Sequence, residues 1–175
     1  DWSSDVCSSD LMNVLVGKVN PSGKLAETFP VKYEDCSSAN YFPGGKLTTC
    51  YRESIYIGYR YYDKNKIQVE YPFGYGLSYT DFSYEGISAD KSGVRFTVKN
   101  SGKVSGAEIA QVYVGKKQSG IFRAEKELKG FSKVFLSVGE SKEIFIPFDD
   151  KAFRFFNVKT NKWETESGEY AIYVG

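Results

Sequence analysis

The chain has 175 residues, room for one domain or for one domain and part of another. Lys and Arg number 23 against 22 Asp and Glu, a formal charge of +1, so there is no basic surplus to hold a polyanion and nucleic acid is not an expected partner. Histidine is absent, which removes Ser-His-Asp and Cys-His catalysis and every His-based metal site, and no cofactor is implied. Apolar residues make up 41% and charged residues 26%, the balance of a globular domain, and no run of 18 apolar residues predicts a helix crossing a membrane. Three Cys cannot close a disulfide framework and lack zinc-ligand spacing.

The first eleven residues, DWSSDVCSSDL, are polar, without periodicity and unlike the rest of the chain. They resemble the translated sequence of a sequencing-library adapter. They have neither the basic n-region nor the apolar h-region of a signal peptide. Residues 1–11 are therefore excluded from fold reasoning, which leaves Cys36 and Cys50 as the relevant thiols. On this view the reading frame opens inside a longer gene, and the chain is expected to be a C-terminal piece.

From Met12 to Thr80 the chain is rich in Gly, Pro and Tyr. Met12–Val16 reads as the end of a helix running into a turn at Gly17. Asn20-Pro21-Ser22-Gly23 is a turn signal, and Leu25–Phe29 reads as a short strand ended by Pro30. Residues 34–46 form a polar loop, Ile55–Tyr62 is a β-leaning run interrupted by Gly58, and residues 72–76 are a second turn cluster. Beyond Asp81 the period changes to two. Val94, Phe96 and Val98 alternate with Arg95, Thr97 and Lys99; Ile144, Ile146 and Phe148 repeat the pattern, as do Tyr170, Ile172 and Val174. Ala107–Val114, Leu128–Leu136 and Phe153–Phe156 are further strand candidates, and no helical stripe is present. About seven short strands with turn signals between them predict an immunoglobulin-like β-sandwich.

Five segments resemble, in order and spacing, the C-terminal part of glycoside hydrolase family 3. They are VNPSGKLAETFP (Val19–Pro30), YRESIYIGYRYYD (Tyr51–Asp63), YPFGYGLSYT (Tyr71–Thr80), GAEIAQVYV (Gly106–Val114) and RAEKELKGFSKVFL (Arg123–Leu136). Ala26 and Ala124 stand where the family has Pro. The resemblance implies a mainly β architecture: a truncated remnant of an α/β sandwich domain plus linker arm at 12–80, then a fibronectin type III-like domain at 81–175. It also implies retaining hydrolysis of terminal β-D-glucosyl or related residues by the full-length parent, with one carboxylate as nucleophile and another as acid/base. The family places both upstream of residue 12, so the chain alone is expected to be inactive, a structural partner of the missing N-terminal catalytic domains. β-Linked oligosaccharide is met only through the parent. The alternative is a carbohydrate-binding module for polymeric β-glucan, which requires a row of exposed aromatics on one sandwich face; Phe96, Phe148 and Tyr170 read as inward.

Among residues with chemistry, Glu125 and Glu127 are one apart and would share a strand face, a solvated rim rather than an acid/base couple. Asp149 and Asp150 suit a turn. The Tyr-rich arm with Arg52 and Arg60 reads chiefly as an inter-domain adhesive, because Tyr supplies area and one hydrogen bond at low entropic cost. The candidates for substrate contact are Glu53, Tyr59 and Arg60. Gly74-Tyr75-Gly76 lacks the third Gly, the Lys and the helix of a phosphate loop. Cys36 and Cys50, with thirteen residues between them, could bridge in an exported parent and would otherwise be free thiols.

Overall fold

The computed structural model describes residues 4–45 and 47–175. Two short helices, α1 (Ser4–Leu15) and α2 (Tyr59–Asn65), lie in the first 80 residues with a two-stranded ladder of β1 (Phe29–Pro30) and β2 (Val69–Tyr71). The later strands are β3 (Phe82–Ala89), β4 (Gly93–Asn100), β5 (Gly106–Lys116), β6 (Glu127–Leu136), β7 (Ser141–Pro147), β8 (Arg154–Asn157), β9 (Lys162–Thr165) and β10 (Tyr170–Val174). They form two antiparallel three-stranded sheets, ordered β3-β4-β7 and β10-β5-β6, and a β8-β9 hairpin. No helix falls after residue 81 among the described residues, and the sandwich has the expected mainly β character.

Period-two patterning builds the core directly. Val94, Phe96 and Val98 of β4 and Ile144 and Ile146 of β7 point inward, where they meet Ala110 and Val112 of β5 and Val134 and Leu136 of β6. In the ladder Phe96 pairs with Ile144 and Val94 with Ile146, so each sheet presents adjacent apolar side chains. Phe82, Tyr84, Phe148, Ile172 and Val174 close the rim of this cluster.

Strand β5 departs from simple alternation: both of its faces are covered over much of its length. One face meets the sandwich core. The other carries Gln111 and Tyr113, and the segment before residue 80 lies on it.

Two local expectations are corrected. The Ile55–Tyr62 run is not a strand: Gly58 takes φ 59° and the chain turns into α2 at Tyr59. The turn is set by backbone bonds from Tyr56 N to Glu53 O and from Tyr61 N to Gly58 O. Lys66, in the left-handed region, ends the helix, and the Asn65 amide donates to Tyr61 O. Local bonding at Gly58 outweighs the β preference of the flanking Tyr and Ile. Leu25–Phe29 is likewise not one strand, because Leu25 N donates to Tyr75 O while its carbonyl accepts from Gly74 N; only Phe29–Pro30 pairs, with β2. The segment excluded as foreign is also structured where described. Ser4–Leu11 continue α1 without a break into Met12, and the stretch holds no Gly or Pro to interrupt it. Residues 1–3 lie outside the described residues.

The two parts differ in burial. Among the described residues only Tyr62 is a buried apolar residue before position 81, whereas twelve are buried from Val94 onward. Leu47 is 96% exposed, Tyr51 89% and Phe42 69%. The sandwich owns its core; the first 80 residues lean on it. Phe96→Ala or Leu136→Ala is therefore expected to cost about 3–5 kcal/mol in chemical denaturation. Phe131→Ala, on the exposed face of β6, is expected to change stability by about 0.5 kcal/mol or less.

Candidate functional site

The residues of the five segments converge on one seam between the first 80 residues and the sandwich. Asn20 is its centre. Its Oδ1 accepts from Tyr79 N at 2.8 Å and from Ser78 Oγ at 3.0 Å, and its Nδ2 donates to Ser105 O at 3.2 Å. One amide thus ties the Asn-Pro turn, the end of the 71–80 linker and the entry to β5. The Tyr79 hydroxyl donates to Val14 O at 2.7 Å, which adds the end of α1 to the same knot.

Four residues on, Lys24 Nζ lies 3.0 Å from Glu108 Oε1, both side chains largely buried at 22% and 10% exposure. The same oxygen accepts from the Tyr84 hydroxyl at 2.8 Å, and burial together with this carboxylate pushes the Tyr84 pKa far up. Deeper still, Thr80 Oγ1 donates to Asn100 Oδ1 at 2.7 Å, and the Asn100 amide donates to Val104 O and Leu136 O. Gly74 sits at φ 82° with Gln111 Nε2 donating to its carbonyl; a Cβ there would fall 2.5 Å from Gln111 Oε1. A Cβ on Gly76 would fall 2.5 Å from Gly23 O, so the two glycine turns press backbone to backbone.

The Tyr-rich arm lies along the same sandwich. The Tyr59 ring packs on Phe73 at 4.8 Å and edge-on to Tyr113 at 5.9 Å, and its hydroxyl accepts from Leu128 N at 2.9 Å. The Tyr56 hydroxyl donates to Arg123 O at 3.1 Å. Three ion pairs run between α2 with its cap and residues 125–127, which lead into β6: Arg60–Glu127 at 3.6 Å, Asp63–Lys126 at 3.3 Å and Lys66–Glu125 at 2.9 Å. Glu125 and Glu127 are thus not a free solvated rim. Glu125 precedes β6, so the shared-face argument does not apply to it, and Lys66 holds its carboxyl below the usual range. Exposed pairs of this kind each contribute only about 0–1 kcal/mol; their value is in fixing register.

The structure does not bring the three candidate contact residues into one cavity. Glu53 lines a cavity of about 530 Å³ with Tyr41, Arg52, Tyr56, Tyr61 and Arg123. Tyr59 and Arg60 line another, of about 580 Å³, with Thr28, Cys36 and Ile57. Asp149 fills the expected turn role, its Oδ1 accepting from Lys151 N, while Asp150 pairs with Arg154. Cys36 and Cys50 are free thiols. Among the described residues, no group of three or more His, Cys, Asp or Glu could hold a metal ion, and no helix is long and apolar enough to cross a membrane. The seam was not legible beforehand, because a side-chain amide joining residues 20, 79 and 105 has no periodicity to betray it.

Fold and seam together define a fibronectin type III-like β-sandwich with an N-terminal segment clasped to it. Known proteins share this arrangement. The model of the glycosyl hydrolase family 3 C-terminal domain matches residues 7–79, and that of the fibronectin type III-like domain matches residues 108–175. The chain corresponds to the C-terminal portion of glycosyl hydrolase family 3 proteins. It is 49% identical over 173 residues to thermostable beta-glucosidase B of Acetivibrio thermocellus, covering 94% of this chain and 23% of that protein. It is 45% identical over 170 residues to exo-alpha-(1->6)-L-arabinopyranosidase of Bifidobacterium breve, covering 94% and 22%. The solved GH3 beta-glucosidase of Bifidobacterium adolescentis superposes with a TM-score of 0.89 at 44% identity, over 94% of this chain and 25% of that one. The chain thus spans about a quarter of the length of the relatives it matches.

Two outcomes test the seam. Asn20→Ala removes three hydrogen bonds and should lower stability by about 2–3 kcal/mol in thermal or denaturant unfolding. Tyr62 and Tyr113 supply a pH test. Burial, with the Cys36 thiol beside it, pushes the Tyr62 hydroxyl up to about 12, and burial with the nearby Tyr59 and Asp63 pushes Tyr113 up to about 12. Because these pKa values are raised above the unfolded value of 10.0, their contribution is complete below pH 10 and is lost as pH rises towards 12. A tyrosinate absorbance titration should show three late-ionising tyrosines, Tyr62, Tyr84 and Tyr113, and alkaline unfolding as pH rises towards 12.

Proposed function

We propose that this chain is the non-catalytic structural portion of a retaining β-glycosidase. Residues 12–80 close an α/β sandwich domain and supply the arm; residues 81–175 form the fibronectin type III-like domain that braces it. Hydrolysis of terminal β-D-glucosyl or related residues belongs to the full-length parent, whose nucleophile and acid/base lie in regions without counterpart here. The observation carrying this reading is that Asn20, Lys24, Gly74, Tyr79 and Glu108, all from segments resembling family signatures, are engaged in the seam instead of converging on a cavity. The relatives' names also favour it. Relatives named for a glucosidase and an arabinopyranosidase are about equally similar in this region, as expected if it braces the enzyme without selecting the sugar.

In this reading the exposed apolar residues before position 80, such as Leu15, Phe42 and Leu47, meet the catalytic domains. Covering them stabilises the assembly by roughly 25 cal/mol per Å² before entropic costs. Tyr59 acts in packing, and Glu53 and Arg60 remain the candidates for contact with sugar held by the parent. A second reading, a module binding neutral β-glucan, is favoured by Phe131 and Phe135, 68% and 63% exposed and in line on β6. The purified chain should release no aglycone from an aryl β-glucoside and give no saturable response to soluble β-glucan at millimolar concentration. Turnover would contradict the non-catalytic reading, and saturable glucan binding lost in Phe131→Ala would favour the second.

A further inference from the structure

A cleft of about 310 Å³ lies between α2, the approach to β6 and the β8-β9 hairpin, at the edge of the seam, with which it shares Arg60 and Glu127. Its wall is aromatic: Phe156 and Trp163 meet edge-to-face at 5.7 Å, with Phe122 and Phe155 beside them. Its charge is lopsided. Arg60, Arg123, Lys129, Lys151 and Arg154 line it against the one lining carboxylate, Glu127, which already faces both Arg60 and Lys129; Arg154 also pairs with Asp150 at 3.2 Å, outside the lining. Lys151 Nζ stands 5.5 Å over the Trp163 ring. Arg123 is the telling residue. Its side chain is 8% exposed, its Nη1 has no hydrogen-bond partner, and the nearest carboxylate, of Glu166, is 4.0 Å away. Arg60 Nε is likewise buried without a partner. A lining richer in basic than in acidic side chains, beside flat aromatic faces, suits a ligand that is both a carboxylate and a ring with an apolar face. A bare phosphate would leave the aromatic wall unused, and a neutral sugar would leave the charge uncompensated.

We propose that this cleft binds a carboxylated sugar, a uronate unit of an acidic glycan. The carboxylate sits towards Arg123 and Lys151, and the ring lies against Trp163 and Phe156. The site is independent of the scaffold reading, whose test uses neutral glucan.

The test is a titration of the full chain with sodium D-glucuronate, followed by NMR shifts of the amides in residues 122–124 and 154–164, with D-glucose, acetate and an acidic peptide as comparison probes. Saturable shifts with glucuronate at millimolar concentration, weakened by salt and absent with glucose, are expected. Lys151→Gln, at an exposed rim position, should weaken binding about tenfold without unfolding the chain, and Arg123→Gln should abolish it. No saturation by glucuronate, equal shifts with acetate, or unchanged affinity in Lys151→Gln would each overturn the proposal. Saturation by the acidic peptide alone would assign the cleft to a protein partner instead.

Discussion

The side-chain amide of Asn20 bonds to residues 78, 79 and 105, and the docking of the first 80 residues on the sandwich is arranged around that junction. An Asn can do this because it offers a carbonyl oxygen with two lone pairs and an amide with two donors on one short, stiff side chain. Asp would forfeit the bond to Ser105 O, and Gln would place the amide one bond too far along. The Lys24–Glu108–Tyr84 group repeats the logic with charge. A largely buried pair tolerates burial only because the carboxylate receives both an ammonium and a hydroxyl.

The seam explains why β5 reads as it does. A strand in a two-layer sandwich needs one apolar face, and β5 supplies Ala110 and Val112 for it. Its other face would normally be solvated, yet it carries Gln111 and Tyr113, which receive Gly74, Phe73 and Tyr59. The first 80 residues act as a third, incomplete layer on the sheet β10-β5-β6. Among the described residues they contribute one buried apolar residue, Tyr62, and hold on mainly through specific polar contacts and ring packing. Such a layer has fixed register without much burial to stabilise it alone. That asymmetry fits a segment whose other neighbours belong to a longer protein.

Legibility in the sequence depends on which features leave a periodic trace. Val94, Phe96 and Val98, or Ile144 and Ile146, announce themselves because a sheet face repeats every second residue. Strand β3 was less visible, since Gly86 with its positive φ coincides with a register shift on β4. The arm misled because Tyr and Ile favour strands in general, while Gly58 and Lys66 settle the local outcome as a turn of helix. Glu125 and Glu127 misled for a related reason: their partners lie about 60 residues away in sequence on α2, and no local pattern encodes a contact across a seam. The segment signatures pointed to the family without revealing that their polar residues serve adhesion.

Hydrogen exchange on the intact chain measures the central claim most directly, that a self-sufficient sandwich carries a clasped, under-buried segment. The account predicts slowest exchange in the paired amides of β4 and β5 and intermediate protection at Tyr79 N and Leu128 N, which donate across the seam. The fastest exchange is predicted in residues 37–45 and 47–55, where backbone bonding is local and most large side chains are exposed. Equal protection before and after residue 80 would contradict it.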